Sequence, residues 1–192
     1  MTSHRQRRFQ FRIIAGELKG RQLSAPDLGV TRPPLTRLRR AVFDFLAPYL
    51  TESTYLDLFS GTGSYLFEAV SRGAGSAIGV ELEGRLAESI NTQASALDIA
   101  DRLRCLCADV FDAVPRLAQN GKRFDLIMIA PPQYLGLIDR TLVALREHPV
   151  LKAGGMIVCQ HDTSESDKIA FDDWKIMQRR KYGNTTFTVI EE

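Results

Sequence analysis

Short hydrophobic segments alternate five times with amphipathic helical segments across the middle of the chain. The predicted strands are Tyr55–Phe59, Ala77–Leu82, Leu103–Ala108, Phe124–Ala130 and Met156–Gln160. Strands that alternate with helices pair in parallel, and the sheet they form is covered by helices on both faces. Residues 173–191 differ, because their pattern is typical of an antiparallel hairpin. The sequence therefore predicts an α/β fold with a mostly parallel sheet.

The N-terminal part of the chain follows a different pattern from the α/β part. Alternating apolar residues from Phe9 to Leu23 predict a short β-hairpin. Residues 24–35 are rich in proline and predict an irregular linker, and a helix is expected to begin near Thr36. We therefore predict an N-terminal extension over residues 1–35 and an α/β domain over residues 36–192.

Composition excludes several classes of protein. The 192 residues are 44% hydrophobic, which is typical of a soluble globular protein. Apolar runs such as residues 126–130 are far shorter than the roughly 20 residues of a membrane span. Three cysteines leave one unpaired, which indicates a reducing compartment, and neither the cysteines nor the histidines have metal-ligand spacing. We expect a cytoplasmic monomer without a metal and without membrane contact.

Charge is distributed unevenly along the chain. Residues 1–40 hold ten Lys/Arg and two acidic residues, a net charge of +8, whereas the remainder has a net charge of −6. A basic arm on an acidic body is typical of nucleic-acid binding, with a solvated tail as the alternative. The residues expected to contact phosphates are Arg5, Arg7, Arg8, Arg12, Lys19, Arg21, Arg37, Arg39 and Arg40.

The loop after the first predicted strand runs from Asp57 to Gly63 and contains two glycines. Gly61 and Gly63 flank Thr62, which permits a tight turn and close approach of a ligand to the backbone in front of a helix N-terminus. A dinucleotide fingerprint requires a third glycine where this chain has Leu66. The loop indicates a ligand with a carboxylate and no phosphate, or else a glycine-rich turn that binds nothing.

Carboxylates end the second and third predicted strands. Ligands of open parallel sheets bind beyond the carboxyl ends of the strands. Glu81 is therefore placed to accept hydrogen bonds from two ribose hydroxyls, and Asp109 to accept one from the exocyclic amine of an adenine. Alternatively, Glu81 is an ordinary surface residue and Asp109 is the N-cap of the following helix.

The loop after the fourth predicted strand contains two consecutive prolines. Its residues are Ala130, Pro131, Pro132, Gln133 and Tyr134. The prolines hold the backbone extended and remove two N–H donors, which leaves a rim of carbonyl acceptors. Such a rim is suited to holding an amine, and a rigid loop without chemistry is the alternative.

Together these segments resemble Rossmann-like S-adenosylmethionine-dependent methyltransferases. More narrowly they resemble the RsmD family, which methylates the exocyclic amine of a guanine in bacterial small-subunit ribosomal RNA. The similar segments are Arg12–Gly16, Lys19–Arg21, Arg32-Pro33, Arg37–Phe43, Asp57–Ser64, Glu68-Ala69, Ser71–Ala74, and Lys181–Gly183 with Thr185. The resemblance implies a seven-stranded sheet with a C-terminal antiparallel hairpin and a small N-terminal hairpin.

The resemblance also implies a cofactor, S-adenosyl-L-methionine, and a partner, ribosomal RNA or the small ribosomal subunit. The implied cofactor contacts are Asp57 for the amino group, Ser60, Gly61, Thr62 and Gly63 for the methionine part, Glu81 for the ribose, and Leu82, Asp109 and Val110 for the adenine. The basic arm would then contact RNA.

The amine-binding loop departs from the family motif, Asp/Asn-Pro-Pro-Tyr/Phe. Ala130 occupies the acidic or amide position, and Gln133 occupies the aromatic position with Tyr134 after it. Loss of one electrostatic partner in a transition state typically costs on the order of 3 kcal/mol. Three outcomes follow: Gln133 turns its amide oxygen inward with Tyr134 as the stacking surface, the protein methylates slowly or not at all, or the acceptor atom differs.

Two further functions compete with an active RNA methyltransferase. A homologue that binds cofactor and RNA without catalysis would act as a ribosome assembly factor, and Ala130 with Gln133 favours it. An NAD-dependent oxidoreductase would share the sheet and Glu81, but Leu66 and the two prolines argue against it.

Overall fold

The structure is a computed structural model that describes residues 8–29 and 36–192. Arg5 and Arg7 lie outside the described residues. The strands are β1 Arg8–Arg12, β2 Gln22–Pro26, β3 Thr54–Asp57, β4 Ser76–Glu81, β5 Leu103–Cys107, β6 Phe124–Ile129, β7 Leu151–Asp162, β8 Lys175–Tyr182 and β9 Thr185–Glu191. The α-helices are α1 Thr36–Leu50, α2 Ser64–Ser71, α3 Gly84–Ala96, α4 Val110–Gln119 and α5 Leu137–Glu147, and Thr163–Glu165 forms a 3-10 turn.

Seven strands form the central sheet, in the order β5-β4-β3-β6-β7-β9-β8. The first five of these are parallel, and β9 and β8 pair antiparallel to their neighbours. Strands β3, β4 and β5 follow one another towards one edge of the sheet, and the strands from β6 onward lie on the other side of β3. The carboxyl ends of β3 and β6 therefore meet at the point where the strand order reverses, which is where such sheets bind ligands. The predicted fold class is confirmed.

Both faces of the sheet are buried because its central strands are apolar at successive positions. Tyr55 and Met128 project into a core formed with α1, α2 and α3. Leu56 and Ile127 project into a second core formed with α4 and α5. Alternate residues of each strand thus enter opposite cores, which holds the strand ends in fixed register.

The N-terminal hairpin is docked on the helices of the first core. β1 and β2 pair antiparallel, and Ile13 and Leu23 are buried with α1 and α2. Gly16 has φ +85°, and a Cβ there would lie 1.7 Å from the Ser71 carbonyl oxygen. The returning strand begins at Gln22 rather than at Leu18 as predicted, because Leu18 N–H donates to Ser71 Oγ of α2 and the residues after it form a turn closed by Arg21 N–H and the Leu18 carbonyl oxygen. The division at residue 35 remains a prediction.

The structure adds three local details to the predicted elements. The last parallel strand is longer than predicted, because β7 begins at Leu151. Helix α4 continues through Pro115, since Val114 and Leu117 on either side of it are buried. Cys107 is exposed at the end of the edge strand β5 rather than packed in the core.

Residues 8–29 and 36–192 contain neither a membrane-spanning helix nor a metal-binding cluster. No helix in them is long and apolar enough to cross a membrane. No group of three His, Cys, Asp or Glu side chains in residues 8–29 and 36–192 is arranged to hold a metal.

Candidate functional site

The glycine loop joins β3 to α2 and lies against the end of β4. Gly61 and Gly63 have φ values of 51° and 77°, a left-handed conformation that favours glycine. A Cβ at Gly63 would lie 2.7 Å from Ile90 Cγ1, so the loop packs closely on α3. Ser60 N–H donates to the Val80 carbonyl oxygen at 3.0 Å. These contacts hold the buried Thr62 and its neighbours in one conformation at the N-terminus of α2.

Asp57 ends β3 with a carboxylate that is 1% exposed. Its Oδ1 accepts a long hydrogen bond of 3.4 Å from Phe59 N–H, and its Oδ2 has no partner among the described residues. Burial raises the pKa of Asp57 to about 7. An unsatisfied buried carboxylate is costly, and a cationic group is the ligand that would relieve that cost.

Glu81 ends β4 and links the glycine loop to the start of α3. Its Oε2 accepts from Gly61 N–H at 2.7 Å and its Oε1 accepts from Glu83 N–H at 2.9 Å. Each carboxylate oxygen retains a further lone pair that a hydroxyl can use. Leu82 follows with 70% of its surface exposed, an apolar face at the same edge of the sheet.

Asp109 caps α4, because its Oδ1 accepts from Phe111 N–H at 2.8 Å. The alternative role of Asp109, as the N-cap of the following helix, is therefore present in the structure. An ionised carboxylate has two acceptor oxygens, so capping leaves one for a ligand. Val110, the first residue of α4, is 6% exposed and lies in the turn whose N–H groups have no intrahelical partner.

The proline loop joins β6 to α5 and is tied to the segment after β7. Tyr134 adopts φ 65° and its N–H donates to Glu165 Oε1 at 3.0 Å. The nearby Asp162 carboxylate raises the pKa of Tyr134. Gln133 is half-buried, whereas Pro132 and Tyr134 are exposed. Side-chain contacts to a distant segment thus position this loop.

A cavity of about 260 Å³ separates the proline loop from the end of β7. Its lining comes from the proline loop and the start of α5, from Gln160 and His161 at the end of β7, and from Glu165, Lys168 and Ile169 in the segment after β7. Its volume is close to the lower end of the roughly 300–1,000 Å³ typical of small-molecule sites.

Two residues near the proline loop were not predicted: Gln160, which lines the cavity, and Tyr65, which is hydrogen-bonded to Gln160. The buried Tyr65 hydroxyl donates to Gln160 Oε1 at 2.7 Å. Gln160 ends the fifth predicted strand, so the rule that found the other strand-end residues would have found it. No sequence signal indicated Tyr65, which is in helix α2.

Most of the described basic residues of the N-terminal region are exposed. They are Arg8, Arg12, Lys19, Arg21, Arg37 and Arg40. Residues near Lys19 contact Ser71 at the C-terminal end of α2, which is an eight-residue helix about 12 Å long. The glycine loop lies at the opposite end of this helix, so the basic surface extends away from the loop.

The predicted phosphate contact of Arg39 is wrong. Arg39 is 1% exposed, donates to the Arg12 carbonyl oxygen at 2.5 Å and lies 3.6 Å from Glu68 Oε2. Glu68 is 0% exposed, and a buried carboxylate requires a paired charge. Arg39 therefore neutralises Glu68 inside the protein. Exposed basic residues that were not predicted lie instead on the edge strand β8, at Arg179, Arg180 and Lys181.

Comparison with known proteins agrees with this geometry. The family model described as "Conserved hypothetical protein 95" matches residues 11–191. The chain is 26% identical to "Ribosomal RNA small subunit methyltransferase D" of Escherichia coli K12, over 95% of this chain and 90% of that protein. It is 28% identical to the protein of the same name from Haemophilus influenzae, over 95% of this chain and 94% of the relative.

A solved structure shares the whole architecture. "Putative methyltransferase yhhF from Escherichia coli" superposes with a TM-score of 0.84 at 25% identity, covering 95% of this chain and 97% of that one. The resemblance to the RsmD family is thereby confirmed. The match of the family model over nearly all of the described α/β domain and most of the hairpin shows that this chain belongs to the family described as Conserved hypothetical protein 95.

Proposed function

We propose that this protein transfers a methyl group from S-adenosylmethionine to the exocyclic amine of a guanine in small-subunit ribosomal RNA. The observation that carries the proposal is the buried Asp57 carboxylate, which has an unpartnered oxygen beside a glycine loop. Relatives named as small-subunit ribosomal RNA methyltransferases align with this chain over 95% of its length.

The strand-end residues fit this cofactor. The unpartnered Asp57 oxygen would accept from the cofactor ammonium group, and the left-handed Gly61 and Gly63 let the backbone approach the methionine part. Glu81 would accept from the ribose hydroxyls, and the exposed Leu82 offers the adenine an apolar surface. When bound, S-adenosylmethionine supplies a methyl group on a positively charged sulfur.

The proline loop would bind the acceptor amine. An exocyclic amine shares its lone pair with the ring, and acceptors on its hydrogens localise that pair. Carbonyl oxygens of Ala130–Pro132 are such acceptors. The amine nitrogen would form the new N–C bond as the S–C bond of the donor breaks, with the electron pair of the broken bond left on sulfur. The nitrogen would then lose one proton to water.

The exposed basic residues of the hairpin and of α1 would contact the RNA backbone. One chain carries the glycine loop, the proline loop and this basic surface, so we propose that a monomer is sufficient for activity. The three cysteines are free, which is typical of a reducing compartment, and we propose that the protein acts in the cytoplasm. The noncatalytic assembly factor is less favoured, because the aligned relatives are named as methyltransferases.

A tritium-transfer assay tests the proposed function. Labelled S-adenosylmethionine is supplied with small-subunit RNA, or with small-subunit particles that lack the methyl group, and the RNA is digested to nucleosides. We expect label in guanosine methylated on its exocyclic amine. No label with either substrate, together with cofactor binding by calorimetry, would support the assembly-factor alternative. No calorimetric binding at all would overturn the proposal.

Charge substitutions test the RNA surface without disturbing the core. Deleting residues 1–21 would remove the buried Ile13, so we instead replace Lys19, Arg21 and Arg40 by Gln. RNA affinity should fall, and the slope of log affinity against log salt should become shallower by about 0.7–0.9 for each phosphate that the variant no longer neutralises.

The matched control replaces the exposed Arg116, Lys122 and Arg123 by Gln, at the end of α4 and the start of β6. These residues lie near the amino ends of the parallel strands, whereas the glycine loop lies at their carboxyl ends. Equal slopes for the two triple variants would show that RNA does not bind the hairpin face.

A further inference from the structure

We infer that Gln160 is the hydrogen-bond acceptor for the target amine that Ala130 cannot supply, and that Tyr65 positions it. This inference rests on the proposed function. It replaces the expectation that Gln133 takes this role.

The pairing of β6 and β7 places Gln160 beside Ala130. These strands are parallel, and Ile129 pairs with Cys159 as the last position of β6. Ala130 and Gln160 follow directly, on neighbouring backbones separated by about 4.8 Å. Paired residues of a parallel sheet point to the same face, so the Gln160 amide lies next to the position where the family motif has an acidic or amide side chain.

The core contacts place both side chains on one face of the sheet. Ala130 packs against the core cluster that contains Tyr65. Gln160 accepts its hydrogen bond from the same Tyr65. In the pairing of β7 with β9, it lies opposite Phe187 of that cluster. Asp57 pairs with Met128, two residues before Ala130, so the cofactor carboxylate is on this face as well.

Tyr65 determines which atom of the Gln160 amide is the acceptor. Its hydroxyl is buried, and burial raises the pKa of Tyr65, so the hydroxyl keeps its proton and donates. The bond of 2.7 Å ends on Gln160 Oε1. A carbonyl oxygen has two lone pairs, so one remains for an N–H of the substrate. Gln160 is half-buried and is among the residues that line the cavity, as are Pro131 and Pro132.

Gln133 reaches the same cavity without comparable support. It lies in the turn before Tyr134, outside any strand, and no hydrogen bond within the described residues orients its amide. An acceptor that is already oriented contributes more to catalysis, because nothing has to reorganise during the reaction. The geometry therefore favours Gln160 over Gln133.

The test compares Gln160→Met with Gln133→Met in the tritium-transfer assay. Methionine keeps the length of the side chain and removes the amide oxygen. We expect Gln160→Met to lower kcat about 100-fold, the effect of removing one transition-state partner, with little change in KM for RNA or in calorimetric affinity for the cofactor. Gln133→Met should change kcat less than about threefold. Gln160→Ala is the second variant if Gln160→Met melts below the wild type.

A rescue variant and a positioning variant complete the test. Ala130→Asn in the Gln160→Met background places an amide on the adjacent strand, and we expect it to recover at least tenfold in kcat. Tyr65→Phe should lower kcat about tenfold without altering cofactor affinity, because the Gln160 amide loses its orientation.

Three results would overturn the inference while leaving the proposed function intact. They are an unchanged kcat in both Gln160 variants, a larger loss in Gln133→Met, and a double variant no more active than Gln160→Met. A wild-type protein that transfers no label would overturn the proposed function, and the inference with it.

Discussion

The two halves of the proposed site are held in place by different kinds of contact. At the cofactor half, Glu81 accepts two backbone N–H groups, one of them from Gly61 only 20 residues away. At the amine half, Tyr65 and Gln160 are joined by one side-chain bond across 95 residues. Tyr134 is 65% exposed and is held through Glu165.

This difference predicts which half tolerates substitution of a single residue. A loop whose backbone contacts the ligand depends on each glycine and on one buried carboxylate, so single changes there are costly. A pocket formed by side chains from neighbouring strands can obtain an acceptor from either strand. Ala130 is then a tolerable departure from the family motif, because Gln160 lies beside it.

The largest expected effect is a loss of folding stability, at the contact between helix α2 and the N-terminal hairpin. Glu68 of α2 is 0% exposed and accepts from the N–H groups of Ile14 and Ala15, at 3.0 and 3.2 Å. Its other partners are Arg39 and Arg72. Glu68→Ala leaves Arg39 buried without its counter-charge, so the free energy of unfolding should fall by about 3–5 kcal/mol in urea denaturation.

Asp44→Ala is the matched control for that experiment. Asp44 also pairs with Arg72, at 2.9 Å, but its side chain is 61% exposed. Exposed ion pairs contribute about 0–1 kcal/mol, so this variant should unfold close to the wild type. Similar losses in the two variants would contradict the importance of the buried charge.

The next largest effect is expected on cofactor affinity. Asp57→Asn preserves the shape of the side chain and removes its charge, and a hydrogen bond to a charged group contributes about 1.5–3 kcal/mol. Calorimetry should therefore show affinity for S-adenosylmethionine lowered about 10- to 150-fold. An Asp57→Asn variant that binds as tightly as the wild type would remove Asp57 from the cofactor site.

The same carboxylate predicts how cofactor affinity depends on pH. Burial raises the pKa of Asp57 to about 7, so below this pH the free protein holds a proton that an ammonium ligand must displace. Wild-type affinity should rise with pH up to about 7, by at most tenfold per unit. The dependence should be absent in Asp57→Asn, and parallel profiles for the two proteins would assign it to another group.

The smallest effect is expected at the exposed support of the proline loop. Glu165→Ala removes the acceptor of Tyr134 N–H, but that group can bond to water instead. We expect a change in the free energy of unfolding below about 1 kcal/mol and a rise of about two- to fivefold in KM for RNA, with cofactor affinity unchanged. Glu147→Ala, on an exposed residue at the end of α5, is the control. A loss of cofactor affinity in Glu165→Ala would show that the two halves are not independent.

Local properties of the sequence were sufficient for predicting the sheet and for locating the polar residues at the carboxyl ends of its strands. The spacing of apolar residues predicts which segments form strands and helices. The glycines near Asp57 indicate a backbone conformation that other residues rarely adopt. Glu81 and Asp109 followed from the rule that ligands bind at strand ends. Each of these signals is contained within a few consecutive residues.

Only the tertiary structure decided the contacts of Arg39, of Gln160 and of the hairpin turn at Gly16. Arg39 has two exposed arginine neighbours in sequence, but the packing of α1 turns it inward to Glu68. Gln160 gains its orientation from Tyr65, and the hairpin turn gains its conformation from Ser71. These partners are distant along the chain, so their effects depend on how the helices pack on the sheet, which no local pattern of residues encodes.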